Sequence, residues 1–158
     1  HYSIATGAYA DEHKILGMNS RLDTIQAAIL DRKLKSILKV NDKRRKVAKI
    51  YDEKLKDIKE IKLTKTNPGS SRHLYVIRSK NRNKLLKYLT NKKIFCQIHY
   101  PYSLNKLKPF IKYVKKNKNL KNSEKWSKEC LSLPIHSSMK LHEINYVANQ
   151  IKRFFLKK

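Results

Sequence analysis

The chain has 158 residues, of which 38 are Lys or Arg and 12 are Asp or Glu, so its formal net charge is +26. This length suffices for one compact domain, and no stretch approaches the roughly 18 consecutive apolar residues that a membrane-spanning helix needs. The first residues lack the basic region, apolar core and cleavage site of a secretory signal, so we expect a cytoplasmic protein without a membrane segment.

The first part of the chain is predicted to be a loop followed by helix. Residues 1–19 show little hydrophobic periodicity and are predicted to form the loop. From Leu22 to Ile58, apolar residues recur every three or four positions, which is typical of a helix with one buried face. This pattern predicts one long or kinked helix, or two abutting helices, over residues 23–59. TNPGSS, residues 66–71, is a cluster of turn-forming residues that follows the helical part.

The middle of the chain is predicted to form two strands with a helix between them. HLYVIRS, residues 73–79, predicts a strand because β-branched and aromatic side chains alternate along it. IFCQIHY, residues 94–100, predicts another strand, which ends at Pro101 because proline cannot donate to a ladder. Asn81 is placed to cap the intervening helix. These elements predict an α/β fold with a small mixed or antiparallel sheet packed by helices.

The last part is predicted to contain a Lys-rich segment and two helices. The Lys-rich segment covers about residues 112–122, a short helix runs from Glu124 to Cys130, and the compact run LSLPIH comes next. Trp126 is expected to pack in the core or cover the terminal helices. The last helix is predicted to bury one face, because its apolar residues recur at helical spacing. That face consists of Leu141, Ile144, Val147, Ala148, Ile151 and Phe154.

The residues before the first helix carry more polar groups than a helix start requires. In GMNSRLDTIQAAIL, residues 17–30, Ser20 with Asp23 three positions later already supplies a capping pattern. The helix cap therefore does not require the side chains of Asn19 and Arg21. They are either binding residues or ordinary polar side chains of a loop.

Four segments resemble, in the same order, motifs of one enzyme family. GMNSRLDTIQAAIL resembles G-x-N-x-R-L-D-x-x-Q-A-A-x-L, and KRRKVAKIYDEKL, residues 43–55, resembles R-R-x-x-A-x-x-Y-x-x-x-L. SRHLYVIR with IFCQIHYP resembles H-L-Y-V-I-R and H-Y-P, and SEKWSKECLSLPIH, residues 123–136, resembles A-E-x-x-x-x-E-x-L-S-L-P-I-H. These are motifs of the DegT/DnrJ/StrS sugar aminotransferases, which the chain resembles over nearly its whole length.

The resemblance implies the C-terminal portion of a fold-type I transferase that depends on pyridoxal 5′-phosphate. Residues 1–21 would be the tail of the large cofactor-binding domain, residues 22–59 the connecting helix or helices, and residues 60–158 the small C-terminal α/β domain. The implied reaction moves an amino group from an amino acid, expected to be glutamate, to a nucleotide-linked keto sugar in surface-polysaccharide or deoxyamino-sugar biosynthesis. The family's Schiff-base lysine has no counterpart here, so we assign no catalytic residue and leave open whether the chain is active alone.

The resemblance also implies binding residues. Asn19 matches an amide that donates to the cofactor phosphate in the neighbouring subunit's site, which implies a homodimer; the alternative is a helix cap. Arg21 has a fork suited to phosphate or carboxylate, or it forms an ion pair. His99 and Tyr100 are candidates for contact with the sugar nucleotide, and a purely structural role for His99 stays open. Lys93 stands where the family usually has Gly.

The charge and the cysteines suggest few other functions. The basic excess is mostly Lys, is spread over every segment and accompanies no nucleic-acid-binding motif, so compositional drift is the preferred interpretation and no specific nucleic acid partner is expected. The alternatives are an inactive fragment or a basic module that binds nucleic acid or another polyanion. Cys96, Cys130 and the six histidines match no metal or redox spacing, so two reduced thiols and no metal are expected.

Overall fold

The computed structural model describes residues 22–108 and 120–156. The chain divides into two compact units, residues 1–37 with 104–118 and residues 38–103 with 119–158. The predicted loop with Asn19 and Arg21 lies outside the described residues, as does most of the Lys-rich segment. The predicted domain boundaries after residues 21 and 59 stay predictions.

Two helices occupy the region for which one long helix or two abutting helices were predicted, and the second alternative is confirmed. Helix α1 spans Thr24–Leu34 and helix α2 spans Ile37–Leu55. They are separated at Ser36, whose amide and hydroxyl both donate to the carbonyl of Lys33, each at 3.1 Å. Helix α1 buries none of its residues, so its apolar stripe is exposed. Helix α2 buries one face, formed by Val47, Ala48, Tyr51 and Leu55.

Within the described residues, the second unit contains a three-stranded antiparallel sheet in the order β1-β2-β3. The strands are β1, Lys62–Leu63; β2, Tyr75–Arg78; and β3, Cys130–Leu133. Ile77 in the middle of β2 pairs with Leu63 on one side and Leu131 on the other. The predicted alternation of β2 is confirmed, since Tyr75 and Ile77 are buried while Val76 and Arg78 are only partly so. The predicted small sheet, mixed or antiparallel and packed by helices, is confirmed, and among the described residues its strands pair in the antiparallel way.

The structure corrects the predicted strand over residues 94–100. Only Gln97 pairs there, exchanging backbone hydrogen bonds of 3.1 and 2.8 Å with Ser132 of β3. The alternation that suggested a strand is nevertheless present, because Ile94 is buried and Phe95 is exposed. Alternating burial needs only an extended backbone that lies on the core, whereas a strand also needs several residues in register with a neighbour. Conversely, β3 is a strand that sequence reasoning did not assign.

Three further helices pack around the sheet in the second unit. They are α3, Arg82–Asn91; α4, Lys121–Glu129; and α5, Leu141–Leu156. A single 3-10 turn, Leu104–Lys106, belongs to the first unit's described part. Tyr88 of α3 donates its hydroxyl to Gln150 of α5 at 2.9 Å, and its ring lies 5.3 Å from that of Phe154. No helix among the described residues is long and apolar enough to cross a membrane.

Two details of the helix predictions are wrong. On α5, Ile144, Val147, Ala148 and Ile151 are buried as predicted, but Leu141 is 59% exposed, since it is the first residue of the helix and lies beyond the core. Phe155 is buried, and Phe154 is only partly so. At the start of α3, the Asn81 side chain makes no capping bond; instead the Asn81 N–H donates to Ser79 Oγ, which closes a local turn.

Lys93 occupies a position suited to glycine at the end of α3. Its φ is +61°, its N–H donates to Thr90 at 2.9 Å, and the Ile94 N–H donates to Leu89 at 3.0 Å. These bonds form a Schellman motif, in which the residue with positive φ is usually Gly. The DegT/DnrJ/StrS family usually has Gly where this chain has Lys93. At this position Lys93 must therefore adopt the left-handed backbone conformation, which strains a residue with a Cβ.

Replacing Lys93 with Gly is therefore expected to stabilise the chain by about 0.5–1 kcal/mol. The relief of left-handed strain, about 1–2 kcal/mol, exceeds the extra flexibility that Gly gives the unfolded chain. The free energy of unfolding in urea measures the effect. Lys84→Gly, inside α3, is the matched control and should destabilise by about 1 kcal/mol. Equal losses from both variants would contradict the prediction.

The N-terminus of α5 is held by a carboxylate. Glu143 accepts the backbone N–H of Lys140 at 2.7 Å, as the acidic residue of a capping box does. This bond is the main reason that the pKa of Glu143 is lowered, with smaller contributions from the nearby charges of His142, His136 and Lys140, while some desolvation opposes the shift.

The lowered pKa predicts a pH-dependent contribution to stability. The contribution is fully present above the unfolded-state pKa of Glu143 and is lost as the pH falls through the lower folded-state value. Glu143→Ala should therefore lower the thermal unfolding midpoint at pH 7 and have little effect at pH values where the wild-type carboxyl is protonated. Glu53→Ala, at an exposed site on α2, is the control. A Glu143→Ala effect that persisted undiminished in acid would rule out the charged cap.

Candidate functional site

Of the four predicted binding residues, His99 and Tyr100 lie within the described residues, next to β3. The ring nitrogen Nδ1 of His99 is 2.9 Å from Oγ of Ser132. Ser132 is only 4% exposed, and its backbone pairs with Val76 on one side and Gln97 on the other. Because both neighbours fix the backbone of Ser132, its hydroxyl is a rigid anchor for the His99 ring.

The thiol of Cys130 lies against the backbone of the same two residues. Its Sγ is 3.6 Å from the carbonyl oxygen of His99 and 3.9 Å from that of Tyr100. Burial raises the pKa of Cys130, although nearby positive charges of Arg82 and Arg78 oppose the shift. The thiol is placed to donate weakly to the carbonyl of His99. This contact helps to hold the segment, and the raised pKa does not favour a reactive thiolate.

The other cysteine also has a raised pKa. Cys96 is a free thiol, like Cys130, and burial raises its pKa to about 12. A group with this pKa carries almost no thiolate at neutral pH. Among the residues that the structure describes, no three His, Cys, Asp or Glu side chains cluster so as to hold a metal ion.

Tyr100 is the accessible member of the pair. Its side chain is 72% exposed, and its ring meets the His99 ring edge-on at a centroid distance of 5.6 Å. His99 is half-buried. The arrangement presents one fixed imidazole and one open phenol at the end of the extended segment, which suits contact with a polar ligand that has a flat or ring-shaped part.

A second polar region is a basic cleft whose lining includes Arg78. Arg78 binds Glu129 with an N–O distance of 2.7 Å, and its guanidinium lies 4.9 Å from the Trp126 ring centre. Trp126 thus packs on β2 through Arg78, which differs from its expected place in the core or over the terminal helices. The cleft has a volume of about 310 Å³, and four lysines and Glu60 contribute to its lining. A smaller basic cleft of about 260 Å³ lies at Arg45 and Lys49.

The motif on α2 forms core and not a site. Its Ala48, Tyr51 and Leu55 are fully buried, and the Tyr51 hydroxyl donates to the carbonyl of Pro134 at 3.1 Å. Burial is the main reason that the pKa of Tyr51 is raised. This motif therefore joins α2 to the LSLPIH segment, which carries Ser132.

The neighbouring Tyr75 also anchors the core through its hydroxyl. It donates to Asp52 at 2.7 Å, and Asp52 also pairs with Arg72 at 3.3 Å. Burial and then the bond to Asp52 raise the pKa of Tyr75. Two buried phenols thus have definite hydrogen-bond partners, as buried hydroxyl groups require.

Sequence reasoning missed two residues of this site, Ser132 and Cys130. Both lie in or beside the quoted LSLPIH motif, but the motif gave no role to either. The structure brings them to His99 and Tyr100, while Asn19 and Arg21 lie outside the described residues.

Comparison with known proteins identifies the family. The family model of the DegT/DnrJ/EryC1/StrS aminotransferases matches residues 4–152. The chain belongs to this family. The family's enzymes depend on pyridoxal phosphate, and the fold is that of fold-type I transferases, as the sequence predicted.

Individual relatives match the chain over most of its length. A protein named pleiotropic regulatory protein, from Geobacillus stearothermophilus, is 33% identical over 147 residues, which are 90% of this chain and 40% of that protein. A dTDP-3-amino-3,6-dideoxy-alpha-D-galactopyranose transaminase from Aneurinibacillus thermoaerophilus is 33% identical over 144 residues, which are 90% of this chain and 39% of the relative.

A solved structure agrees in fold. The crystal structure of a DegT/DnrJ/EryC1/StrS aminotransferase from Brucella abortus superimposes with a TM-score of 0.81 and 33% identity, covering 88% of this chain and 37% of that one. The chain thus spans about two fifths of the length of the DegT-family relatives that it matches.

Proposed function

We propose that this chain is the C-terminal part of a pyridoxal-phosphate-dependent aminotransferase that transfers an amino group from an amino acid, with glutamate as the donor, to a nucleotide-linked keto sugar. The observation that carries the proposal is the family match over residues 4–152. Support for the substrate class comes from relatives named as transaminases of dTDP- and UDP-linked sugars. The product would serve deoxyamino-sugar or surface-polysaccharide biosynthesis in the cytoplasm.

The chain's own residues would bind and orient the reactants. Asn19 would donate its amide N–H groups to the cofactor phosphate of the neighbouring subunit, so that the active protein is a homodimer. Arg21 would bind an anionic oxygen of the substrate with its planar fork. His99 and Tyr100 would contact the sugar nucleotide, with the fixed imidazole as hydrogen-bond donor and the open phenol as a surface for a ring.

The cofactor and its covalent lysine would be supplied from outside this chain. When bound, pyridoxal phosphate acts as the electron sink that makes amino transfer possible. The proposed role of His99 and Tyr100 in a neighbouring sugar-nucleotide pocket is supported by the fixed position of His99 against Ser132 and by the exposure of Tyr100. The residue expected at the cofactor itself, Asn19, is outside the described part of the chain.

The test is to read the coding sequence before His1 and to express the whole reading frame. An in-frame segment with the family's lysine-bearing domain is expected. The purified protein should bind pyridoxal phosphate and convert glutamate to 2-oxoglutarate beyond one equivalent per active site only when a dTDP- or UDP-linked keto sugar is present to accept the amino group. A lysine-bearing domain with no such transfer for any keto-sugar nucleotide would contradict the proposed substrate class, and the absence of that domain would favour the inactive fragment.

The alternative, a basic module for nucleic acid or another polyanion, is favoured only by the net charge and the two basic clefts. We propose that no specific nucleic acid is a partner. A salt titration of binding to duplex DNA of several sequences discriminates the two. Purely electrostatic binding gives a steep fall with salt and no dependence on sequence. A sequence preference that survived at high salt would instead support the alternative.

A further inference from the structure

The contact between Ser132 and His99 bears on which ring nitrogen of His99 carries the proton. Ser132 is buried, and among the described residues His99 Nδ1 is the only hydrogen-bond partner of its hydroxyl. A buried hydroxyl hydrogen needs an acceptor, because leaving it unpaired costs free energy. This favours a hydroxyl that donates to Nδ1, whose lone pair then accepts the bond. The proton of a neutral imidazole then lies on Nε2.

The second ring nitrogen of His99, Nε2, has no hydrogen-bond partner within the described ranges. The His99 side chain is half-buried. The exposed Tyr100 ring stands beside it. In the Nε2–H tautomer, the side of His99 that faces away from Ser132 is an N–H donor near an open aromatic ring.

We propose that Ser132 is a positioning residue, which holds His99 as the Nε2–H tautomer so that the ring donates to an oxygen of the sugar nucleotide. The identity of that acceptor rests on the proposed function. Hydroxyl, keto and phosphate oxygens of a sugar nucleotide all accept hydrogen bonds. The opposite tautomer would direct a lone pair at the same oxygens, which repels phosphate and keto groups.

The rigidity of Ser132 is what makes this positioning effective. Its backbone is bonded to Gln97 on one side and paired with Val76 of β2 on the other. Cys130, two residues earlier in β3, lies against the carbonyls of His99 and Tyr100. Strand β3 thus fixes both the backbone of the pair and the orientation of the imidazole, as a support for a binding group must.

The tautomer itself is tested by NMR on the full chain with 15N-labelled histidine. Two-bond proton–nitrogen correlations should show His99 in the Nε2–H form only. In Ser132→Ala the two nitrogen shifts should move toward each other, because both tautomers become populated. Ser132→Thr, which keeps a hydroxyl, should restore the wild-type pattern. Ser127→Ala is the control, since Ser127 is a buried serine that donates to Glu124 and does not contact His99. An Nδ1–H pattern in the wild type would overturn the proposal.

The consequence for binding is tested in the aminotransferase assay of the whole reading frame. Ser132→Ala should raise KM for the sugar nucleotide about five- to tenfold, the usual value of one hydrogen bond, and leave KM for glutamate and kcat nearly unchanged. His99→Gln, whose amide reaches the position of Nε2, should lose less than His99→Asn. Equal changes in both KM values, or no change in either, would overturn the positioning role. If the wild type transfers no amino group, the proposed function fails, and the NMR result alone decides the role of Ser132.

Discussion

Replacing Asn19 with alanine is expected to weaken the binding of pyridoxal phosphate about 10- to 100-fold in the complete protein, which we propose to be an aminotransferase. The interaction that the proposed role would lose is a hydrogen bond from an amide to a charged phosphate oxygen, which contributes about 1.5–3 kcal/mol. The free energy of unfolding should change little, because a loop amide that caps a helix contributes only about 1 kcal/mol. Dialysis against cofactor-free buffer, followed by absorbance of the retained cofactor, measures the effect.

Asn19→Asp sharpens the experiment. It has nearly the same shape, but its carboxylate repels the phosphate, so it should retain less cofactor than Asn19→Ala. If Asn19 is only a helix cap, Asp should instead substitute well for it, since both residues are good caps. Cofactor affinity that is unchanged in both variants would refute the assigned role.

A mixed dimer shows whether Asn19 acts across the subunit boundary. One subunit would carry Asn19→Ala, and the other would carry a substitution of the family's cofactor-binding lysine. If Asn19 serves the partner's site, one of the two sites in the mixed dimer has both groups intact and restores about half of the wild-type activity, in contrast to either homodimer. If Asn19 serves its own subunit, no site has both groups and activity stays at the level of the variants.

Replacing Tyr51 with alanine is expected to destabilise the second unit by about 3–5 kcal/mol, the usual loss for a buried aromatic residue. The Tyr51 side chain is fully buried, its ring lies 4.9 Å from that of Tyr75, and its hydroxyl donates to Pro134. Its removal leaves a cavity and an unpaired carbonyl. Since domains are only about 5–15 kcal/mol stable, this loss is a large fraction of the total. Urea unfolding followed by circular dichroism measures it.

Two controls separate the contributions to this loss. Tyr51→Phe keeps the ring and removes the hydrogen bond, so it should destabilise by about 1–2 kcal/mol. Tyr102→Ala makes the same truncation at a site that is 65% exposed, and it should stay within about 0.5 kcal/mol of the wild type. A loss for Tyr51→Ala as small as the one expected for Tyr102→Ala would contradict a core position of Tyr51.

The periodic spacing of hydrophobic residues correctly predicted the helices and strands that bury only one face against the core. The stripe through Val47, Tyr51 and Leu55 predicted α2, and the alternation of Tyr75 and Ile77 predicted β2. An element that buries one face repeats its apolar residues at the spacing of a helix or a strand. This spacing can be recognised in one sequence without comparison to others. The same reasoning could not say which of Phe154 and Phe155 is buried, because both spacings from Ile151 fit a helix face.

Pairing between distant segments was not predictable from local patterns. Ser132 meets Gln97 and Val76, which lie 35 and 56 residues earlier in the chain. Strand β3 is buried at all four positions and so lacks the alternation that identifies a half-exposed strand. The segment around Gln97 shows the alternation of buried and exposed side chains, but only Gln97 pairs with a neighbouring strand. For the same reason, the resemblance identified His99, but only the fold placed Ser132 at its ring.

Helix α1 has a consequence for hydrogen exchange. It has 11 residues, no side-chain cap bond and no acidic residue in its first turn, and it buries none of its side chains. An isolated helix of that length is marginal in water, since its stability normally comes from packing. Its backbone amides should therefore exchange with deuterium at rates near those of an unstructured peptide, while the amides of β2 and α5 should be among the slowest in the chain. Slow exchange in α1 would mean that another surface covers its apolar stripe in solution.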